Sequence, residues 1–408
     1  MPSHTARPLL TLDQYRERVL ALRGTGWPRT VRLPLNEAAG RTLTEDGCAR
    51  IDLPRFANSA MDGFGVAWRD DGQSRRWTVV ADLPAGAAAD TVLTAGQAVR
   101  IMTGAAVPPG VDTIVPLEDA VVEGDTVRFA QPVTPGRHIR AAGEDVQAGE
   151  VVLRAGTVLS ARHLAAGAAV GLSEVAVAVA PRVAILATGD ELADPGEPLG
   201  AASVYDSNGP YLAAAVTAAG GVVATRMRSG DSPSTFRAAL NLAAKQADLI
   251  LITGGVSVGD RDVTREVLAD QAGAQFVHVA MQPGKPQGCG AWLGVPALAL
   301  PGNPVSVAVS FACFARPLLE AMLGAKPPER AARGVVAQGW PSPRGRRQFV
   351  PVSLTPREDG SLALAPATAG LSGSHLVASL ARADALAIVP EEVAEVSLGA
   401  VLELLPLF

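Results

Sequence analysis

Between Pro181 and about residue 326 the chain repeats one unit: a short apolar run, a glycine-bearing turn, then a helical pattern. "RVAILATGDEL" reads as an apolar strand ending in such a turn, and "DSNGPYLAAAVTAAGG" as a helix ending at glycine. "VVATRMR", "DLILI" and "QFVHVAMQ" read as further strands, "SPSTFRAALNLAAKQA" and "DVTREVLADQAG" as further helices. Ser232 is placed to cap one helix with Pro233 at its first position. The stretch "ALALPGNPVSVAVSFACFARPLLEAMLG" gives a strand, a tight turn and a helix capped by Asn303, which Pro317 is expected to kink. Strands alternating with helices imply a mainly parallel sheet with helices on both faces. Hydrophobic residues are 48% and aromatics only 4%, so alanine, valine and leucine must fill most of the cores.

In an open parallel sheet, ligands bind where loops leave the C-terminal ends of the strands. Three turns sit there: "ATGDEL" (187–192), "TGGVSVGD" (253–260) and "LPGNPVS" (300–306). Glycine lets the backbone approach a ligand closely, and N–H groups at such turns attract anions. One such turn alone is equally a plain sheet connection. "QPGKPQG" lacks the spacing of a Walker A loop, and no G-x-G-x-x-G is present, so neither ordinary ATPase chemistry nor NAD binding is signalled. Asp190, Glu191, Asp231, Asp260 and Asp262 all follow strands. Singly, each reads as a helix cap or solvated loop residue. Converging at one sheet edge, they suit a hydrated Mg²⁺ that bridges substrate phosphates.

The remainder is β-rich apart from its start. "TLDQYRERVLALRG" is an amphipathic helix with a Thr11/Gln14 capping box and Leu12, Tyr15, Val19 and Leu22 on one face. Residues 53–145 carry short β-branched runs between Gly and Pro, and after "AKPPER" (325–330) the chain reads as short strands to its end. A net charge of −5 gives no reason to expect nucleic acid. Cys48, Cys289 and Cys313 form neither a disulfide framework nor a zinc motif. The N-terminus lacks a secretory apolar region, and the two greasiest stretches are broken by Pro181–Arg182 and by Pro301–Pro304. The expectation is a soluble, cytoplasmic protein without membrane contact.

Several motifs in order carry a resemblance: "NSAMDGFGV" (58–66), "RIMTGAAVPPGVDTIVPLED" (100–119), "AAGEDV" (141–146), "ATGDEL", "YDSN" (205–208), "TGGVSVGDRD", "MQPGKP" (281–286) and "LPGNPVS". Together they resemble the MoeA/gephyrin E-domain family, the molybdopterin molybdenumtransferases, over almost the whole chain. The resemblance implies an enzyme that inserts molybdate into adenylylated molybdopterin and releases AMP, the final step of molybdenum cofactor biosynthesis. It implies a multidomain α/β plus β fold in an elongated subunit. Its parts are a composite N-terminal and linker domain (1–52 and 146–178), a β-rich inserted domain (53–145), a MogA/MoaB-like α/β domain with a mainly parallel sheet (179–326) and a C-terminal β-barrel (327–408). It also implies a homodimer whose active site lies between one subunit's α/β domain and the other's "SAMDGF" region. A MogA-like adenylyltransferase and molybdoenzyme acceptors are the implied protein partners.

Carried over by motif, the catalytic residues are Asp62, Thr103, Asp145, Glu191, Asp231 and Asp262, with Glu191 and Asp231 holding Mg²⁺. The substrate-binding set is Thr188, Gly189, Gly254, Gly255, Ser257, Lys285, Pro301, Gly302, Asn303 and Pro304. Molybdate falls to Gln282, Lys285, Ser306, Arg346 and Ser374, cationic and hydroxyl donors suited to a tetrahedral dianion. The chain departs from the family where Gln282 and His278 replace common lysines. His278, in a strand, reads as a partly buried structural residue. The competing readings are a tungstate-inserting or paralogous homologue, and a non-catalytic scaffold. The chain shows no preceding domain or long linker, which counts against the scaffold.

Overall fold

The structure, a computed structural model, describes residues 9–68, 76–256, 262–271, 273–326 and 332–407. The chain divides into two compact units. One is Arg32–Ala39 with Glu45–Ala176; the other is Met1–Val31, Gly40–Thr44 and Val177–Phe408. Helix α1 (Leu12–Ala21), in the second, has the expected capping box, and Leu12, Tyr15 and Val19 are buried.

The first unit is built on a sheet of β1 (Gly63–Val66), β2 (Arg76–Leu83), β3 (Gln97–Ile101), β4 (Thr113–Pro116), β5 (Ala120–Glu123) and β6 (Thr126–Phe129), in the order β4-β1-β3-β2-β6-β5. Only β2 and β3 pair in parallel. Alternation splits its core: Phe64, Trp77 and Phe129 pack on one face, Val99, Ile101 and Ile114 on the other. Gly63 of "SAMDGF" cannot carry a side chain, because a Cβ there would collide with the Val115 carbonyl of β4.

The second unit holds two six-stranded sheets. The first contains β7 (Arg182–Thr188), β8 (Val222–Ser229), β9 (Leu249–Thr253), β10 (Gln275–His278), β12 (Pro286–Trp292) and β13 (Val295–Leu300), β11 being the short strand Met281–Gln282. The order is β8-β7-β9-β13-β12-β10, with the first four parallel and the last two joined antiparallel. The strands read as continuous apolar runs because both faces are covered. Val183, Ile185, Leu249 and Leu251 face a core shared with α1, α2 (Asn208–Ala218), α5 (Pro304–Ser310) and α6 (Arg316–Leu323). Ala184, Leu186, Ile250 and Ile252 face α3 (Pro233–Gln246) and α4 (Val263–Ala269).

Two details differ from expectation. "QFVHVAMQ" is not one strand. Leu10 exchanges backbone hydrogen bonds with His278 and Ala280, and β11 then leaves the sheet to pair with the barrel. Pro317 does not act alone: a π turn, Phe311–Ala315, lies between α5 and α6. Pro317 has no N–H for the Cys313 carbonyl, which accepts from Arg16 Nε of α1 at 3.2 Å. The run Pro304–Leu323 is also less interrupted than its sequence suggests. It is long and apolar enough to cross a membrane, but most of it is buried among the core residues of the α/β layer.

The last sheet is a closed barrel of β14 (Ala332–Val336), β15 (Arg347–Pro356), β16 (Leu362–Pro366), β17 (Ala385–Val389) and β18 (Val401–Pro406). The order β15-β16-β14-β18-β17 closes because β17 also pairs with β15. Trp340, Val350, Val352, Leu364 and Leu404 fill it.

Candidate active site

The C-terminal ends of β7, β9 and β13 open onto a cleft of about 1450 Å³, walled on its other side by β11 and by loops of the barrel. Its floor is made by the three glycine turns. Gly254 and Gly255 have φ of +95° and +68°, where a side chain is strained. Space excludes one as well. A Cβ on Gly254 would lie 2.7 Å from the Thr188 carbonyl, and one on Gly255 would strike Thr264 Oγ1. The pair of glycines thus lets β9 end directly beneath the cleft. Asn208 ties the turns together: its Nδ2 donates to Thr253 Oγ1 at 2.9 Å and to the Gly302 carbonyl at 2.7 Å.

Charge of both signs lines this space. Lys285 and Arg346 are half-buried on the wall and form no ion pair among the described residues. The neighbouring Arg347 is different, being committed to Glu391 at 3.0 Å. Glu191 and Asp231 also line the cleft, exposed and without an ion pair among the described residues. Asp262 also lines the cleft, while its Oδ1 accepts from the Arg265 N–H and caps α4. The expected convergence of five acids needs correction. Asp190 is absent from the cleft wall because its carboxylate accepts from the Asp231 N–H at 3.2 Å, bracing the turn. No group of three or more His, Cys, Asp or Glu suited to a metal is found among the described residues. Asp260 and Ser257 lie outside them.

Of the other expected binding residues, Thr188, Gly189, Gln282, Pro301, Gly302, Asn303, Pro304, Ser306 and Ser374 all line the cleft. Asn303 occupies the N-cap of α5 but does not cap it; its Nδ2 donates to Ser374 Oγ at 2.8 Å, and the Val305 N–H donates to the Ser374 carbonyl. His278 sits half-buried in β10 and does not line the cleft.

Asp62, Thr103 and Asp145 belong to the other unit. There Asp62 Oδ1 accepts from both the Thr103 N–H and the Thr103 hydroxyl, each at 2.7 Å. These bonds to the charged form hold the Asp62 carboxyl below its ordinary value. Sequence reasoning left out Asn208, Gln348 and Ser372, all on the cleft wall. Asn208 lay in the quoted "YDSN"; Gln348 and Ser372 had only their nearness to Arg346 and Ser374 as signal.

Comparison with known proteins bears on this geometry. The MoeA N-terminal region (domain I and II) matches residues 10–171, a probable molybdopterin binding domain matches 184–321, and the MoeA C-terminal region (domain IV) matches 333–407. The chain is 41% identical over 387 residues to molybdopterin molybdenumtransferase 2 of Mycobacterium tuberculosis, covering 92% of this chain and 94% of that one. The chain belongs to the molybdopterin molybdenumtransferase family. Its role is in molybdenum cofactor biosynthesis, as a transferase. The enzyme of the same name from Haemophilus influenzae is 34% identical over 397 residues, covering 96% and 97% of the two chains. The molybdopterin biosynthesis moeA protein from Pyrococcus horikoshii OT3 is similar across 98% of this chain and 100% of its own, with a TM-score of 0.84 at 29% identity.

Proposed function

We propose that the cleft takes adenylylated molybdopterin and molybdate, and that the protein inserts the molybdenum at the dithiolene with release of AMP. The observation that carries this reading is that one cavity is lined by charge of both signs: Lys285 and Arg346 with serine hydroxyls, and Glu191 and Asp231, none of the four in an ion pair among the described residues. Cations and hydroxyls suit an oxyanion such as molybdate. The glycine turns, with Asn208 bracing them, let phosphate and pterin approach the backbone closely.

Glu191 and Asp231 are hard oxygen ligands, and two carboxylates are enough for Mg²⁺, which keeps several waters and takes the rest of its ligands from phosphates. They fit the ion and would hold it at the phosphate end of the substrate. When bound, it would neutralise charge on the phosphoanhydride. The protein's own contribution is to bind and orient the oxyanion through Lys285, Arg346 and the serine hydroxyls of the same cleft. We assign Asp62, Thr103 and Asp145 to the same reaction, the working assembly to a homodimer in the cytoplasm, and the chain to the four-part division expected from its motifs.

The test is AMP release from adenylylated molybdopterin by the purified protein, with and without molybdate and Mg²⁺. Release that needs both supports the reading; a protein that binds the nucleotide and never cleaves it refutes it. Repeating the assay with tungstate reads the oxyanion preference. Sedimentation checks the dimer, which an active monomer at assay concentration would exclude.

A further inference from the structure

Among the residues that sequence reasoning left out, three form a relay into the cleft. Trp340 is 4% exposed, and its indole N–H can only donate. It donates to Gln348 Oε1 at 3.3 Å. That bond fixes which end of the amide is which, because the reversed amide would set two donors against each other. Gln348, itself 2% exposed, therefore presents Nε2 to Ser372 and donates to its Oγ at 3.1 Å. An amide N–H cannot accept, so Ser372 Oγ is the acceptor and its own proton is left to point elsewhere. Ser372 is 6% exposed and lines the cleft.

We propose that Ser372 is a further oxyanion-binding residue of this site, and that Gln348, oriented by Trp340, is the positioning residue that makes it a donor. The inference rests on the molybdate reading above. The surroundings agree with it. Gln348 pairs in register with Gln282 across β11 and β15, and Arg346 lies two residues before it. Ser374, in the same loop, receives the Asn303 amide in the same way. A hydroxyl free to rotate would offer an oxyanion lone pairs as readily as a proton. Accepting from Gln348 engages one of the two lone pairs of the Ser372 oxygen and turns its proton away from the amide, so the proton meets the anion with less reorganisation.

The test is titration of molybdate into the full-length wild-type protein and into Ser372→Ala, Gln348→Met and the double variant, with Lys285→Ala as reference and melting temperatures as a fold control. Loss of one hydrogen bond to a charged group should weaken molybdate about tenfold in Ser372→Ala. Gln348→Met should weaken it several-fold in the wild-type background and by less than about twofold once Ser372 is alanine, since a residue acting only through another adds nothing after it is gone. In turnover, the KM for molybdate should rise while that for adenylylated molybdopterin stays unchanged. Ser372→Ala carries the test even if Gln348→Met fails to fold. If Lys285→Ala weakens molybdate and Ser372→Ala does not, the role of Ser372 is wrong and the reading of the cleft stands. If neither does, both are wrong.

Discussion

The protein places functional-looking carboxylates in two regions and treats them differently. In the β-rich unit, Asp62 has one oxygen committed to two bonds from Thr103. In the cleft, Glu191 and Asp231 have neither an ion pair nor a side-chain hydrogen bond among the described residues. A carboxylate that already accepts two hydrogen bonds organises its loop before any ligand arrives. One left open has its lone pairs available to a cation or a substrate. The glycines show the same contrast. Gly104, beside Thr103, has a φ of +80° and open space around it, whereas Gly255, with a φ of +68°, has Thr264 against it.

The glycine contrast allows the harshest test. Gly255→Ala combines left-handed strain with a clash against a buried hydroxyl, so it should cost roughly 2–4 kcal/mol and abolish turnover. Gly104→Ala should cost only about 1 kcal/mol, the strain alone. Paired chemical denaturation of the two variants checks this, and equal losses would erase the distinction. Next in size, Lys285→Ala should lower molybdate affinity about 30-fold with little change in melting temperature, because it removes a charged donor that has no ion pair among the described residues.

Asp62 tests the other side of the comparison. Asp62→Asn should fold, leave molybdate binding intact and reduce AMP release about tenfold or more, a loss typical of a positioned catalytic group. Its pH behaviour follows from the lowered pKa. A depressed folded value contributes stability above the unfolded carboxyl pKa, and that contribution is lost as pH falls through the folded value. Wild type should therefore melt above Asp62→Asn at neutral pH, and the gap should close below about pH 4. A gap that widens in acid would reverse the assignment. The smallest expected effect is at Gln282, whose replacement by lysine should tighten molybdate by about fivefold, roughly 1 kcal/mol after desolvation, and make binding more salt-sensitive.

Much of the fold was legible because local signals and the global packing agree. The runs "RVAILAT" and "LILIT" are apolar throughout, and the sheet buries both their faces. The Thr11/Gln14 box caps α1 as its spacing predicts. What escaped depends on residues distant in sequence. Leu10 ends β10 across more than two hundred residues, and Arg16 serves the carbonyl that Pro317 cannot. At the site, the turn glycines were legible because φ and space leave no alternative there. Of the five acids, Asp190 was over-read: from sequence, Asp190 bracing a turn looks the same as Glu191 and Asp231 left open or Asp262 lining the cleft while capping a helix. Gln348 and Ser372 had only their nearness to Arg346 and Ser374 as signal, since their contact exists only once β15 and the 368–377 loop meet.

The central proposal is that one cleft binds molybdate through Lys285 and Arg346, and nucleotide-bearing molybdopterin through its glycine turns. Single-turnover AMP release at increasing molybdate, comparing wild type with Lys285→Ala and Asp231→Asn, tests it most directly. The account predicts saturable, molybdate-dependent release in wild type, a shift to higher molybdate in Lys285→Ala with the same plateau, and a lowered plateau at an unchanged midpoint in Asp231→Asn. AMP release indifferent to molybdate, or both variants behaving as wild type, would contradict it.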